Sequence, residues 1–176
     1  MKKYLLAFLL VSPINFASGS EDVKSVEVKL ASLQMAEASN NLSAKIKECN
    51  KKKKALKPEL FNDLKLDNKE LFTALLYFQF KNDIECTKLE DGQFVLASSV
   101  MASAFKSSEE LPAELKSDKL DELHTLVSDK YKQLINLQAR YSLLDEEKRK
   151  AIEQVQELKQ GFDALKTYGL LEDSKK

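Results

Sequence analysis

The chain has 176 residues, and its 28 basic and 28 acidic side chains leave it without net charge. That balance gives no support to a protein that attracts nucleic acid through a basic surface. Its 4 glycines and 3 prolines compare with roughly 21 such residues at average usage, too few turn formers for a β-sandwich or a β-barrel. Because 43% of the residues are apolar, the composition predicts a folded, all-α protein of one domain.

Residues 1–19 have the layout of a secretory signal peptide. Two lysines precede the apolar run Tyr4–Val11, and the small residues Ala17–Gly19 permit cleavage before Ser20. An apolar helix of that length spans about 12 Å, far short of a bilayer core of roughly 30 Å, so a membrane anchor is disfavoured. No cysteine stands at the cleavage point to carry a lipid. We therefore expect a mature chain, residues 20–176, that is periplasmic or secreted and has no transmembrane segment.

Cys49 and Cys86 are the two cysteines of the chain. In an oxidising compartment two cysteines more often form a bridge than stay free, and this is the only intramolecular pairing available. Closing the loop should stabilise the fold by roughly 3–4 kcal/mol on the chain-entropy model. A free buried pair is the alternative, whereas redox catalysis would need a CxxC spacing or a nearby histidine. If the helices that carry the cysteines are antiparallel, residues 50–67 must run back alongside them.

Two helices are predicted in the first two thirds of the chain. Apolar residues three and four apart indicate a helix over about 21–49, with a phase slip in its middle. Asp67 and Glu70 resemble a capping box at the start of a second helix over about 68–105, within which Gly92 is a possible point of interruption. The first turns of this helix are apolar on nearly every side, which is typical of the central helix of a bundle.

A heptad pattern dominates the last third of the chain. Apolar residues occupy twelve of fourteen a and d positions over seven heptads, from Leu120 to Leu165. This is the pattern of a coiled-coil seam, and Gly169 would cap its end. Since the phase is kept throughout, one continuous helix of about 75 Å is a possible interpretation.

The competing interpretation divides this segment at residue 145. Asp145 has the chemistry of an N-cap, and Lys148 places a charge at an a position. We favour the break, and predict helices over about 118–143 and 146–167 that form an antiparallel, coiled-coil-like hairpin. The predicted fold is therefore an antiparallel bundle of about four helices.

A basic run follows the first helix, formed by Lys51, Lys52, Lys53, Lys54 and Lys57. Lysines at the C-terminus of a helix are favoured by the helix dipole, which explains most of this run without a ligand. The alternative is contact with an anionic envelope component such as a lipid, a glycan or an acidic protein.

The sequence lacks the constellations that catalysis and metal binding require. His124 is the only histidine, so zinc sites, di-iron sites and a Ser–His triad are each short of a partner. The three glycines after residue 19 cannot build a phosphate loop. Adjacent carboxylates such as Glu109 and Glu110 point apart on a helix. We expect no enzyme, no cofactor and no metal site.

These expectations favour an exported, non-catalytic binding or scaffold protein of the bacterial cell envelope, with a protein partner and with the option of a homo-oligomer. Its contact site would be the apolar stripe that a 118–166 hairpin leaves uncovered. The alternatives are a periplasmic holdase-type chaperone, and an inhibitor or immunity protein for a secreted enzyme. A chaperone would protect many unfolded clients, whereas an inhibitor would bind one partner.

Overall fold

The computed structural model of the protein describes residues 20–106 and 118–174. Within these ranges the chain is helical, and the all-α prediction is confirmed. The helices are α1 (Ser20–Lys51), α2 (Asn68–Lys106), α3 (Asp118–Ser142), α4 (Glu146–Gln154) and α5 (Ala164–Asp173). Short 3-10 helices, Pro58–Phe61 and Gln156–Lys159, lie in two of the connections. The predicted signal peptide lies outside the described residues.

The neighbours of α2 include α1, α3 and α5, whereas α1 and α3 hardly touch one another. α1 runs antiparallel to α2. Cys49, near the end of α1, is joined to Cys86 in the middle of α2, while the earlier Met35 has its sulfur 3.3 Å from the hydroxyl of the later Ser98. Because α2 contacts other helices on several sides, it has apolar side chains on several sides.

α3 is also antiparallel to α2. Lys130, in the middle of α3, reaches Asp91, whereas Tyr141, near its end, stacks on Tyr77 with the ring centroids 4.6 Å apart. The edge of Phe78 meets the same Tyr141 ring. Burial among these rings raises the pKa of Tyr141 above its ordinary value of 10.0. The tyrosine therefore stays neutral and serves as a packing residue.

The start of α2 is the predicted capping box. The Asp67 carboxylate accepts a hydrogen bond from the Glu70 N–H at 2.8 Å, and the Glu70 carboxylate accepts one from the Asp67 N–H at 3.0 Å. Lys148 of α4 donates to both oxygens of Glu70, at 2.7 and 2.8 Å. The helix predicted over 68–105 is continuous, and Gly92 does not interrupt it. Asp91 and Phe94 on either side of this glycine are buried against neighbouring helices.

The main core joins the first half of α2 to the C-terminal segment. It consists of Phe61, Leu71, Ala74, Leu75, Phe78, Tyr141, Ile152, Leu158, Phe162, Ala164 and Leu171. The chain between α1 and α2 packs against this core through several leucines. The Leu56 N–H donates to the Thr167 hydroxyl at 3.0 Å, and the Asp163 N–H donates to the Lys54 carbonyl at 3.1 Å. Residues 50–67 therefore run alongside the helices, as predicted.

The break before residue 146 is confirmed, because the Asp145 carboxylate accepts a hydrogen bond from the Glu147 N–H at 2.9 Å. The single helix predicted over 146–167 is wrong. α4 ends at Gln154, since Val155 adopts an extended conformation with φ −71° and ψ 101°.

The chain is again extended at the residues that precede α5, where Asp163 is the N-cap. The backbone at Phe162 and Asp163 pairs with that of Lys54 instead of continuing a helix. Gly169 lies inside α5 and is not the predicted C-cap. The coiled-coil-like hairpin is not found among the described residues, because the apolar positions Leu158 and Phe162 face the main core.

The sulfur atoms of Cys49 and Cys86 lie 2.03 Å apart, which is the distance of a disulfide bond. This is the predicted pairing. Apart from it, α1 is held on α2 by a small cluster in which Met35, Ala38 and Phe94 are buried. Since this cluster is much smaller than the main core, we expect the covalent link to contribute to the attachment of α1.

The capping box, together with the ion pair between Glu70 and Lys148, makes a testable contribution to stability. Glu70→Gln should lower the free energy of unfolding by about 1–2 kcal/mol, because a charged cap and an ion pair become neutral. Hydrogen bonds from Lys148 and from the Asp67 N–H lower the pKa of Glu70 below its ordinary value of 4.5. The stabilisation that the Glu70 carboxylate contributes is therefore fully present above pH 4.5. It is lost as the pH falls through the lowered pKa of Glu70.

Urea unfolding between about pH 6 and pH 3 measures this contribution. We expect the wild type to lose more stability over that interval than Glu70→Gln. Glu157→Gln is the matched control, since this carboxylate is exposed on a 3-10 helix. An identical pH dependence in Glu70→Gln and the wild type would contradict the assignment.

Removal of the disulfide should lower the stability of the fold and should destabilise α1 more than the other helices. The double variant Cys49→Ser/Cys86→Ser should lose about 4 kcal/mol, because the reduced chain regains the entropy of a loop of 37 residues. Hydrogen exchange should show α1 losing more protection than α5, which the main core holds. Unchanged protection of α1 would show that its packing does not depend on the bridge.

Candidate functional site

The structure divides the predicted basic run into paired and exposed lysines. Lys53 Nζ lies 2.7 Å from the Asp83 carboxylate, and Lys52 Nζ lies 2.5 Å from Glu48. Hydrogen bonds from Lys52 and Lys45 lower the pKa of Glu48 to about 2. The other lysines of the run, Lys51, Lys54 and Lys57, are exposed. The run is thus partly neutralised, and its contact with an anionic partner stays a prediction that concerns these three.

α1 has two apolar stripes, and α2 covers only one of them. The covered stripe contains Ala31, Met35 and Ala38. The second stripe has the helical spacing of three, four and three residues, and its side chains keep 53–60% of their surface exposed: Val23, Val26, Leu30 and Leu33. A helix in a monomeric globular protein normally has a single apolar stripe, which it buries. The second stripe of α1 is therefore the more unusual feature.

The second half of α2 continues this exposed apolar surface. Because the helices are antiparallel and Met35 lies beside Ser98, the middle of α1 lies beside this part of α2. Leu96 and Val100 line a shallow groove of about 370 Å³ between the two helices, opposite Gln34 of α1. Leu30 precedes Gln34 by one turn and therefore lies on the same side. We call this the arm surface, defined by Val23, Val26, Leu30 and Leu33 of α1 with Leu96 and Val100 of α2.

The contact site predicted on 118–166 differs from this result. The predicted hairpin is not found, and α3 exposes Ile135 and, to a lesser extent, Tyr131 among its described side chains. The arm surface was missed because the apolar residues of α1 were assigned to one face. The signal was nevertheless in the sequence, since the phase slip within α1 marks the change from the exposed stripe to the covered one.

A second feature is a groove of about 510 Å³ between α1 and α3, which we call the inner groove. It exists because α1 and α3 both pack on α2 and hardly contact one another. Leu42 and Ile46 of α1 form an apolar wall, and Phe94 of α2 is buried beside them. The inner groove therefore combines apolar side chains with the polar group described next.

Three polar side chains meet in the inner groove. Lys130 Nζ donates to the Asp91 carboxylate and to the Thr87 hydroxyl, each at 2.6 Å, and Thr87 donates to Asp91 at 2.8 Å. The Asp91 side chain is only 4% exposed. Lys130 is one of the two charged residues at heptad core positions, and its packing against α2 explains why a lysine is found there. A buried carboxylate of this kind requires its cation.

Metal ligands do not cluster in the part of the chain that the structure describes, where no group of three or more His, Cys, Asp or Glu side chains could hold an ion. The side chain of His124 lies outside the described part. None of the helices within the described ranges is long and apolar enough to cross a membrane.

No protein-family model matches the chain, and no curated protein or solved structure is significantly similar to it. Function is therefore inferred from the surfaces of the molecule itself.

We expect Lys130 to contribute much more to stability than Lys132, because Lys130 is paired with the buried Asp91 in the inner groove. Lys130→Ala should lower the free energy of unfolding by about 3–5 kcal/mol, because it leaves the Asp91 charge buried without its cation. Replacing both members, as in Asp91→Leu/Lys130→Met, should recover most of that loss. Lys132→Ala removes an exposed lysine and should cost less than about 1 kcal/mol. Equal effects in urea unfolding at the two lysines would contradict this assignment.

Proposed function

We propose that the protein is an exported, non-catalytic binding protein of the bacterial cell envelope that holds an amphipathic helix of a partner protein on the arm surface. The observation that carries this proposal is the second apolar stripe of α1. None of its residues belongs to the buried cluster between α1 and α2, and each keeps more than half of its surface exposed.

The spacing of the stripe favours a helix as the bound element. Residues three and four apart line up on one side of a helix, which is the pattern by which helices dock into grooves. The stripe from Val23 to Leu33 is about 15 Å long, or nearly three helical turns. Leu96 and Val100 of α2 continue the apolar surface at the Leu33 end of the stripe, where they face Gln34. A partner helix in this position would complete a bundle of four helices with α1, α2 and α3.

The charges around the arm surface favour a partner with a mixed polar rim. Lys24, Glu27 and Lys29 alternate in sign beside the stripe, and Glu37 lines the shallow groove. Such a rim selects partners by charge pattern more than by net charge. The surface is a narrow stripe and not a broad cavity, which favours one selected partner over the many clients of a holdase.

Export is supported by the layout of residues 1–19 and by the cysteine pair. Cys49 and Cys86 lie at bonding distance, and such a bond persists in oxidising compartments such as the periplasm. The absence of catalysis is proposed from the shortage of histidine and glycine in the sequence.

Substitutions in the stripe test this proposal. Mature protein from Ser20 onward should capture a partner from the exporting organism, and one helical segment of that partner should bind at a ratio of one to one. Leu30→Glu/Leu33→Glu should weaken this binding at least about tenfold, since each buried leucine contributes roughly 1.5–3 kcal/mol. Both side chains are exposed, so the fold should be retained.

The control for this experiment is Leu165→Glu, because Leu165 is exposed on α5 far along the chain from the arm surface. Fluorescence anisotropy with the labelled segment gives the affinities. Binding that Leu30→Glu/Leu33→Glu leaves unchanged would refute the arm surface as the contact. Protection of several unrelated unfolded clients would indicate a holdase instead, and a dimer that the same variant dissociates would indicate a second copy of the chain.

A further inference from the structure

The inner groove has the dimensions of a small-molecule site. Its volume of about 510 Å³ falls within the range of roughly 300–1,000 Å³ that such sites occupy. Along α1 its lining extends from Ser39 to Asn50, a distance of about 16 Å at the rise of an α-helix. The Lys53–Asp83 ion pair and the disulfide lie at one end of it. The inner groove is thus elongated and bounded at that end.

One part of the inner groove is apolar. Leu42 and Ile46 stand one turn apart on α1, with Phe94 of α2 beside them. Ile46 keeps 42% of its surface exposed although it borders a cavity. An alkyl chain lying along these side chains would remove that apolar surface from water, which is favourable in proportion to the area covered.

The charges of the lining determine which head group would fit. Asp83 is balanced by Lys53, and Asp91 is balanced by Lys130. Among the lining residues that the structure describes, Lys47 carries the one charge that these pairs leave over, and its side chain is exposed at the rim. Lys130 also has a third N–H beyond the two that Asp91 and Thr87 accept. Lys47 and Lys130 balance the two aspartates of the lining, and with Lys53, which pairs with Asp83 at its end, the inner groove has one positive charge in excess.

We propose that the inner groove binds a small amphiphilic anion, a single alkyl chain that carries a carboxylate or a phosphate. The chain lies against Leu42, Ile46 and Phe94, and the anionic head is held by Lys47 and the third N–H of Lys130. This site differs from the arm surface, because its residues lie on the other side of the α1–α2 pair. A free fatty acid and the head group of a lysolipid share the required chemistry.

Calorimetric titration of the oxidised protein tests this site, with dodecanoate and lysophosphatidylglycerol as probes below their micelle concentrations. We expect saturable binding of at least one probe at a ratio of one to one. Dodecyltrimethylammonium, which has the same chain with a cationic head, should bind at least about tenfold more weakly. The two anionic probes distinguish a free carboxylate from a lipid head group as the natural ligand.

Two variants and their controls test whether the probes bind in the inner groove. Lys47→Gln and Ile46→Glu should each weaken binding about tenfold or more. Lys29→Gln and Leu33→Glu make the same chemical changes at exposed positions of α1 outside the groove, and should leave affinity unchanged. Leu33→Glu also belongs to the arm surface, so it separates this site from the partner contact.

Three results would overturn the proposal. These are the lack of saturable binding by both anionic probes, equal affinity for the cationic probe, and an equal loss of affinity in the variants and their controls. Circular dichroism establishes that each variant is folded. If Ile46→Glu fails to fold, Lys47→Gln decides alone, because an exposed lysine contributes little to stability.

Discussion

The packing of separate helices on α2 is the constraint on which the described structure depends. α2 has 39 residues, which gives it a length of about 58 Å, and it contacts α1, α3 and α5. α1 and α3 lie against it without closing on one another. Apolar side chains that point away from α2 consequently have no cover within the described chain. Both the arm surface and the inner groove result from this one arrangement.

The two halves of α2 are stabilised by different means. The first half contacts large aromatic and aliphatic side chains of the main core, which the C-terminal segment completes. The second half has small side chains such as Ala97 and Ser98, a buried ion pair and a covalent link to α1. Little apolar area is buried there, and the candidate sites occur in this less densely packed half. Such regions are where binding surfaces are expected, since their side chains are not committed to the core.

Local features of the fold could be predicted from the sequence, and non-local ones could not. The capping box at Asp67 and the break at Asp145 depend on residues within a few positions, and the cysteine pairing had one solution. The extended segment before α5 pairs with Lys54 through Asp163, a contact that no periodicity reveals. Heptad spacing predicted that Leu158 lies on a buried face, but it did not specify α2 as the helix that Leu158 contacts. The pairing of Lys130 with Asp91 likewise joins residues far apart in the chain.

The main core includes residues from α5 and the segment that precedes it, which are synthesised after every other helix described. Phe162, Ala164 and Leu171 close it, and Thr167 accepts a hydrogen bond from Leu56, 111 positions earlier. The core therefore cannot be completed until Leu171 has been synthesised. In the proposed export, the precursor would pass through a translocation channel unfolded. A core that needs Leu171 would keep the chain unfolded until that residue has crossed the membrane.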